Sequence, residues 1–245
     1  MAVGSGLEAA EFDLAVTPLR ELNAALHGVE RDPASADRLA AGVPRHWRVV
    51  NPRGAHAVAV GIYAPIEVEI EGHAGYYCAG MNKEATVRVH GNVGVGCAEN
   101  IMSGKVIVDG NASQSAGATG RGGLLVIRGS ASARCGISMK GVDIVVQGSV
   151  GHMSGFLAQK GTLVICGDAG EALGDSIYEA HVYVRGEVAG LGADCVEKEV
   201  RGEHVDELRE LLQSAGLDDV NPEDFRRYGS ARRLYNFSID NASAY

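Results

Sequence analysis

The sequence predicts an all-β protein, a right-handed parallel β-helix of about seven 19-residue coils, flanked by short N- and C-terminal helices. Three observations carry this. A glycine closes a short apolar-alternating run seven times, at Gly72, Gly91, Gly110, Gly129, Gly148, Gly167 and Gly186, and every interval is 19 residues. The fourth and second residues before each glycine are aliphatic in all seven repeats: Val68/Ile70, Val87/Val89, Val106/Val108, Leu125/Ile127, Ile144/Val146, Leu163/Ile165 and Val182/Val184. The third and seventh residues after each glycine are small throughout, as in Gly75, Gly94 and Ser113, and in Ala79, Ala98 and Gly117.

A fixed period of this kind marks a stacked-repeat architecture. Residues two apart on a strand face one side, so each aliphatic pair points inward. One repeat buries only two side chains and cannot stand alone; stacking turns the pairs into a continuous apolar ladder. At about 4.8 Å per strand, seven coils give a rod roughly 34 Å long. The period is too short for helix–turn–helix repeats. The Leu/Asn ladder of leucine-rich repeats is missing, and 19 is not a multiple of the six-residue unit of left-handed β-helices. The small positions fit sharp turns, where a side chain would clash or φ must be positive.

Three segments follow. Residues 1–64 hold N-terminal helices and a cap, 65–200 the β-helix, and 201–245 C-terminal helices with an Arg- and aromatic-rich tail. Thr17-Pro18 opens a helix with Leu19, Leu22 and Leu26 as its apolar stripe and Gly28 as its stop. Residues 30–44 read as a second short helix. Trp47, the only tryptophan, is expected to pack across the rod's open end, because an unpaired sheet edge needs a cover. Val58, Val60 and Ile62 alternate like a lead-in strand. Beyond Val200, the run from His204 to Gly216 is an amphipathic helix with a glycine stop, and Asn221-Pro222 starts a further short helix.

A net charge of −9 argues against nucleic-acid and anionic-membrane partners. No apolar run is long enough to span a bilayer, and the N-terminus lacks a signal-peptide pattern. Five cysteines without a CxxC motif do not form a secreted disulfide framework. A cytoplasmic protein is the consistent expectation. Chemistry on a β-helix needs polar side chains aligned on adjacent coils. His73, His90, His152 and His181 stand at four different offsets from the marker glycine, and the aspartates are equally scattered. No catalytic, cofactor-binding or metal-ligating residue is therefore assigned. Glu69 and Glu71 face Arg88 and His90 on the next coil, as surface charge pairs would. Cys78, Cys97 and Cys135 share one offset, and small buried thiols are the expected reading.

The third residue before the glycine should point outward. It is Ile107, Val126, Val145 and Val164 in the middle coils, then Tyr183. An apolar stripe there must be covered, by the chain's own helices or by a partner. The tail adds Arg226, Arg227, Tyr228, Arg232, Arg233, Tyr235 and Phe237, residue types enriched at interfaces. These twelve residues are the interface candidates, with a strap over the rod's own side as the alternative for the tail.

The coils from Gly91 to Gly96 and from Gly129 to Gly136, with the lead-in Asn51-Pro-Arg53-Gly-Ala55, resemble the C-terminal GXGXG domain of the glutamate synthase large chain over about residues 45–200. The chain is most similar to the stand-alone GXGXG subunits of split systems, such as the one in N-methylglutamate synthase (methylamine–glutamate N-methyltransferase). The subunit of formylmethanofuran dehydrogenase that shares this β-helix is a second relative by fold. The resemblance implies a non-catalytic scaffold in a hetero-oligomer with a glutaminase-like (class II amidotransferase) subunit and a flavin-binding glutamate synthase-like subunit. FMN and an iron–sulfur cluster are then expected on those partners. A free-standing β-helix enzyme and a homo-oligomeric structural protein are the alternatives.

Overall fold

The computed structural model describes residues 9–29, 31–32 and 35–233. It is a right-handed parallel β-solenoid. Seven strands carry the seven aliphatic pairs: β5 (Glu67–Glu71), β6 (Thr86–Val89), β7 (Lys105–Val108), β8 (Leu124–Ile127), β9 (Asp143–Val146), β10 (Thr162–Ile165) and β11 (His181–Val184). They pair in parallel and in strict 19-residue register, Val87 on Val106 on Leu125. All fourteen predicted inward aliphatics are 0–1% exposed.

The stack extends beyond the seven. Strand β4 (His46–Val50) lies under β5, placing Trp47 below Val68 and Val49 below Ile70. Strand β1 (Ala10–Asp13) pairs with β4 in turn. Trp47 is thus a core residue of an extra rung, and Phe12 stacks on its ring at 5.9 Å. Helix α1 (Leu19–His27) buries Leu22 and Leu26. Its Asn23 donates to the Ala57 carbonyl at 2.9 Å and accepts from the Ala59 N–H at 3.1 Å. Pro18, not Thr17, holds the cap position, without a side-chain cap bond. Two expectations are corrected. Residues 31–39 contain two antiparallel strands, β2 (Arg31–Asp32) and β3 (Ser35–Leu39), rather than a helix. Val58 and Ile62 are buried, but residues 58–61 form a turn instead of a lead-in strand. The apolar alternation there is that of a coil's turn, with Ala57, Ala59 and Gly61 in the left-handed region.

At the other end the parallel pattern stops. Strand β12 (Cys195–Lys198) and β11 both pair antiparallel with β13 (Arg226–Ser230), which lies between them. Helix α2 (Gly202–Ser214) connects them, and a short 3-10 turn at Pro222–Asp224 is capped by Asn221.

The marker glycines have a specific steric cause. The next residue is His73, Asn92, Asn111, Ser130, Ser149 or Asp168, and its side chain accepts the backbone N–H of the equivalent residue one coil on, at 2.8–3.1 Å. That side chain passes where the next glycine's Cβ would be. A Cβ on Gly129 would lie 2.3 Å from Asn111 Oδ1 and 2.7 Å from the Gly110 carbonyl oxygen.

Gly129→Ala is therefore expected to cost about 1–3 kcal/mol. Gly202→Ala, whose Cβ would meet nothing within 4 Å, should leave the melting temperature unchanged or slightly higher. Equal thermal stability of the two variants would show that the coils can part to admit the methyl group. Val146→Asp places an unpaired charge at 0% exposure and should cost more than about 3 kcal/mol in urea unfolding.

Candidate functional site

The stripe and tail are brought together, and the chain itself covers the stripe. Val126, Val145, Val164 and Tyr183 are at most 1% exposed beneath Leu208, Leu212, Ala215, Leu217 and Phe225. Ile107 is partly buried at the margin of the same cluster. Of the two covers left open, the described residues supply α2. Thirteen residues at 1.5 Å each make the helix about 20 Å long, enough to run back from β11 to β7. Its outgoing end is tied by Lys105 Nζ to the Ser214 carbonyl at 2.5 Å and by Arg128 to the Gly216 carbonyl at 3.4 Å. Cations at these last carbonyls also complement the helix dipole.

The polar centre of this contact is Glu207, which sequence reasoning missed. Its carboxylate accepts from Thr162 Oγ1 at 3.1 Å and from the Tyr183 hydroxyl at 2.7 Å, and it lies 3.1 Å from His181 Nδ1. The hydrogen bond with His181, joined by that of Tyr183, holds the Glu207 carboxyl down at about 2. Burial and the same carboxylate push the Tyr183 hydroxyl far up. His204, one turn earlier, accepts the Arg201 N–H at 3.0 Å, and desolvation lowers its pKa. The arrangement is an anchor that keeps the Tyr183 proton in place. The available signal was a single acid, Glu207, on the apolar side of a helix that also carries Leu208 and Leu211.

The tail is divided. Arg226, Arg227 and Tyr228 belong to β13, and Tyr228 is 2% exposed. Of the two readings left open for the tail, these residues follow the strap over the rod's own side: Arg226 Nη2 donates to the Gly186 carbonyl at 2.6 Å and Arg227 Nε to the Glu199 carbonyl at 3.1 Å. Arg232 pairs with Glu179 at 2.9 Å, and the Arg233 N–H donates to Asp194 at 2.9 Å. Tyr235 and Phe237 lie outside the described residues. A cavity of about 360 Å³ opens beside this strand, lined by His181, Lys198, Arg201, Arg227 and Arg232 together with Glu179 and Glu199.

On the first coils the outward face is a ladder of ion pairs. Arg48 bridges Glu11 and Glu71 at 2.9 and 3.1 Å, Arg88 holds Asp109 at 3.1 Å, and His90 Nδ1 lies 2.8 Å from Asp109. Glu69, Glu71 and His90 have ligand atoms within 4.8 Å of one another and could meet a metal ion. Arg48 and Asp109 already engage two of them. All five cysteines are free and buried, and burial alone pushes the Cys78 and Cys135 thiols up to about 12, far from a nucleophilic thiolate at neutral pH. No helix among the described residues is long and apolar enough to cross a membrane.

No family model matches the chain. Its sequence is 61% identical over 234 residues to Protein GlxC of Rhizobium meliloti (strain 1021), covering 96% of this chain and 99% of that protein.

Glu207→Gln is expected to loosen α2. The folded-state pKa lies below the ordinary carboxylate value, so the charge contributes stability above about pH 4.5 that is lost as pH falls toward about 2. Unfolding free energies of wild type and variant in urea should differ at pH 7, by about 1–2 kcal/mol at this half-buried site, with the gap narrowing below about pH 4.5 and closing only at about pH 2. A gap that is the same at pH 2 as at pH 7 would remove the charge from the anchor. Val145→Asp should destabilise folding as Val146→Asp does, because both positions are 0% exposed.

Proposed function

The chain belongs to the GlxC family, and from that premise we propose that it is a non-catalytic scaffold subunit of a glutamate synthase-like multisubunit enzyme. The finer reading is N-methylglutamate synthase, which exchanges the amine of glutamate for methylamine and releases ammonia. In this reading the rod holds a glutaminase-like subunit and a flavin-barrel subunit at fixed separation in a cytoplasmic hetero-oligomer. FMN and the iron–sulfur cluster reside on those partners.

One observation carries the reading. The polar ladder that runs along the rod, from His73 to Asp168, is engaged in receiving backbone N–H groups of neighbouring coils. The outer polar groups of the first coils are joined in ion pairs. The polar alignment of this solenoid holds the rod together, and rigidity over a defined length is what a spacer between two active subunits needs.

The test is an activity assay on the purified chain and on its complex. The isolated chain should give no methylamine–glutamate exchange, and the assembled complex should turn over and lose activity when this chain is left out. Exchange by the isolated chain would overturn the scaffold reading and favour a free-standing enzyme, with the cationic cavity beside β13 as the first place to look.

A further inference from the structure

We infer that one corner of the solenoid is a docking strip for an acidic face of another protein subunit; the inference rests on the scaffold reading and adds where, and to what chemistry, the rod attaches. Coil register sets the strip. Lys83 bridges Tyr63 on the coil before it. The N–H groups of Met102, Arg121 and Lys140 donate to the carbonyls of Asn82, Ile101 and Gly120 in the same manner. Tyr63, Lys83, Met102, Arg121 and Lys140 therefore stack on successive coils, and Lys140 bridges Lys160 on the next. Five steps of about 4.8 Å make the strip roughly 24 Å long.

Its composition departs from the rest of the surface. Tyr63 and Met102 are 55% and 46% exposed, with Met81 beside them at 39%. Arg121, Lys140 and Lys160 are exposed. Of the cations elsewhere, Arg45, Arg48, Arg88, Arg201, Arg209 and Arg232 each hold a carboxylate within 4.0 Å, while the exposed Arg20 and Arg53 stand apart from one another and from this strip. Among the described residues, Arg121, Lys140 and Lys160 are not in such a pair, and Lys83 lies 3.9 Å from the Tyr63 ring centre. Like charges opposite one another on neighbouring strands are destabilising. These three repeat that juxtaposition on adjacent coils, inside a Debye length of about 8 Å. An anionic surface laid against them relieves the repulsion. Exposed tyrosine and methionine in line with the cations are interface residue types. Tyr63, Met102 and Met81 exposed beside the cations suit a protein face, and the unpaired cations suit carboxylates, so the occupant is a protein face rich in Asp and Glu.

The experiment compares wild type with Arg121→Gln/Lys140→Gln/Lys160→Gln, each co-purified and titrated with the glutaminase-like and flavin-barrel subunits at about 50 and 300 mM salt. Wild type should bind one of them with an affinity that falls as salt rises. The variant should bind that subunit at least about tenfold more weakly, with a flatter salt dependence, while its own melting temperature stays level or rises. Equal affinity and salt dependence of the two chains would overturn the strip and leave the scaffold reading intact. A wild-type chain that forms no complex would overturn both. A dimer of the isolated chain that the variant loses would make the occupant a second copy, and a nucleic acid retained only by wild type would make it a polyanion; either overturns the proposal. A lower melting temperature in the variant would show that the cations stabilise the coil itself and would remove the argument from repulsion.

Discussion

Everything in this solenoid depends on neighbouring coils holding one register at strand spacing, and a side-chain-to-backbone hydrogen bond repeated along the rod locks that register. Asn92 reaches up to the N–H of Asn111, and Asn111 to that of Ser130. The bond forms only if the residue before each N–H has no Cβ, because the reaching side chain occupies that volume. The glycine and the polar residue after it are thus one device. Removing the Cβ from an extended glycine has an entropic cost, and a satisfied N–H at every turn compensates for it.

The turns carry a second cost. In each of the first six coils, the fifth, seventh and ninth residues after the glycine are left-handed, as in Arg134, Gly136 and Ser138 with φ of 60°, 69° and 53°. For a non-glycine residue this costs about 1–2 kcal/mol. The geometry sends the N–H groups of Arg134 and Ser138 to the following coil and that of Gly136 to the preceding one. Strain within one coil is met by bonds to two neighbours, which explains why no coil could fold alone. The ends then need different treatment: Phe12, Trp47 and α1 close one, and β13 closes the other by reversing strand direction.

With the ladders absorbed by the fold and the outer valines taken by α2, the surfaces left for other molecules are at corners and ends. There the charges are not balanced internally, as at Arg121 and Lys140, or surround a cavity, as beside β13. The rod's aligned polar groups are directed at its own backbone, and its unbalanced charges are directed outward.

The repeat was fully legible. Two aliphatics and a glycine per 19 residues determine strand, register and inward face, because a period-2 pattern repeated at constant interval allows a single stacking. The polar ladder after each glycine was not read from the sequence, because counting each residue type separately scatters it: His73, Asn92, Asn111, Ser130, Ser149 and Asp168 differ in type and share only the ability to accept a hydrogen bond. The sequence could not choose a cover for Val126, Val145 and Val164. An apolar stripe and an amphipathic helix of matching length are compatible without being assigned to each other. The fit of Glu207 between Thr162, His181 and Tyr183 decides it, a long-range contact that no local pattern encodes. The tail was undecided for the same reason: Arg226–Ser230 has no strand alternation of its own, and becomes a strand because β11 and β12 leave a gap of one strand between them.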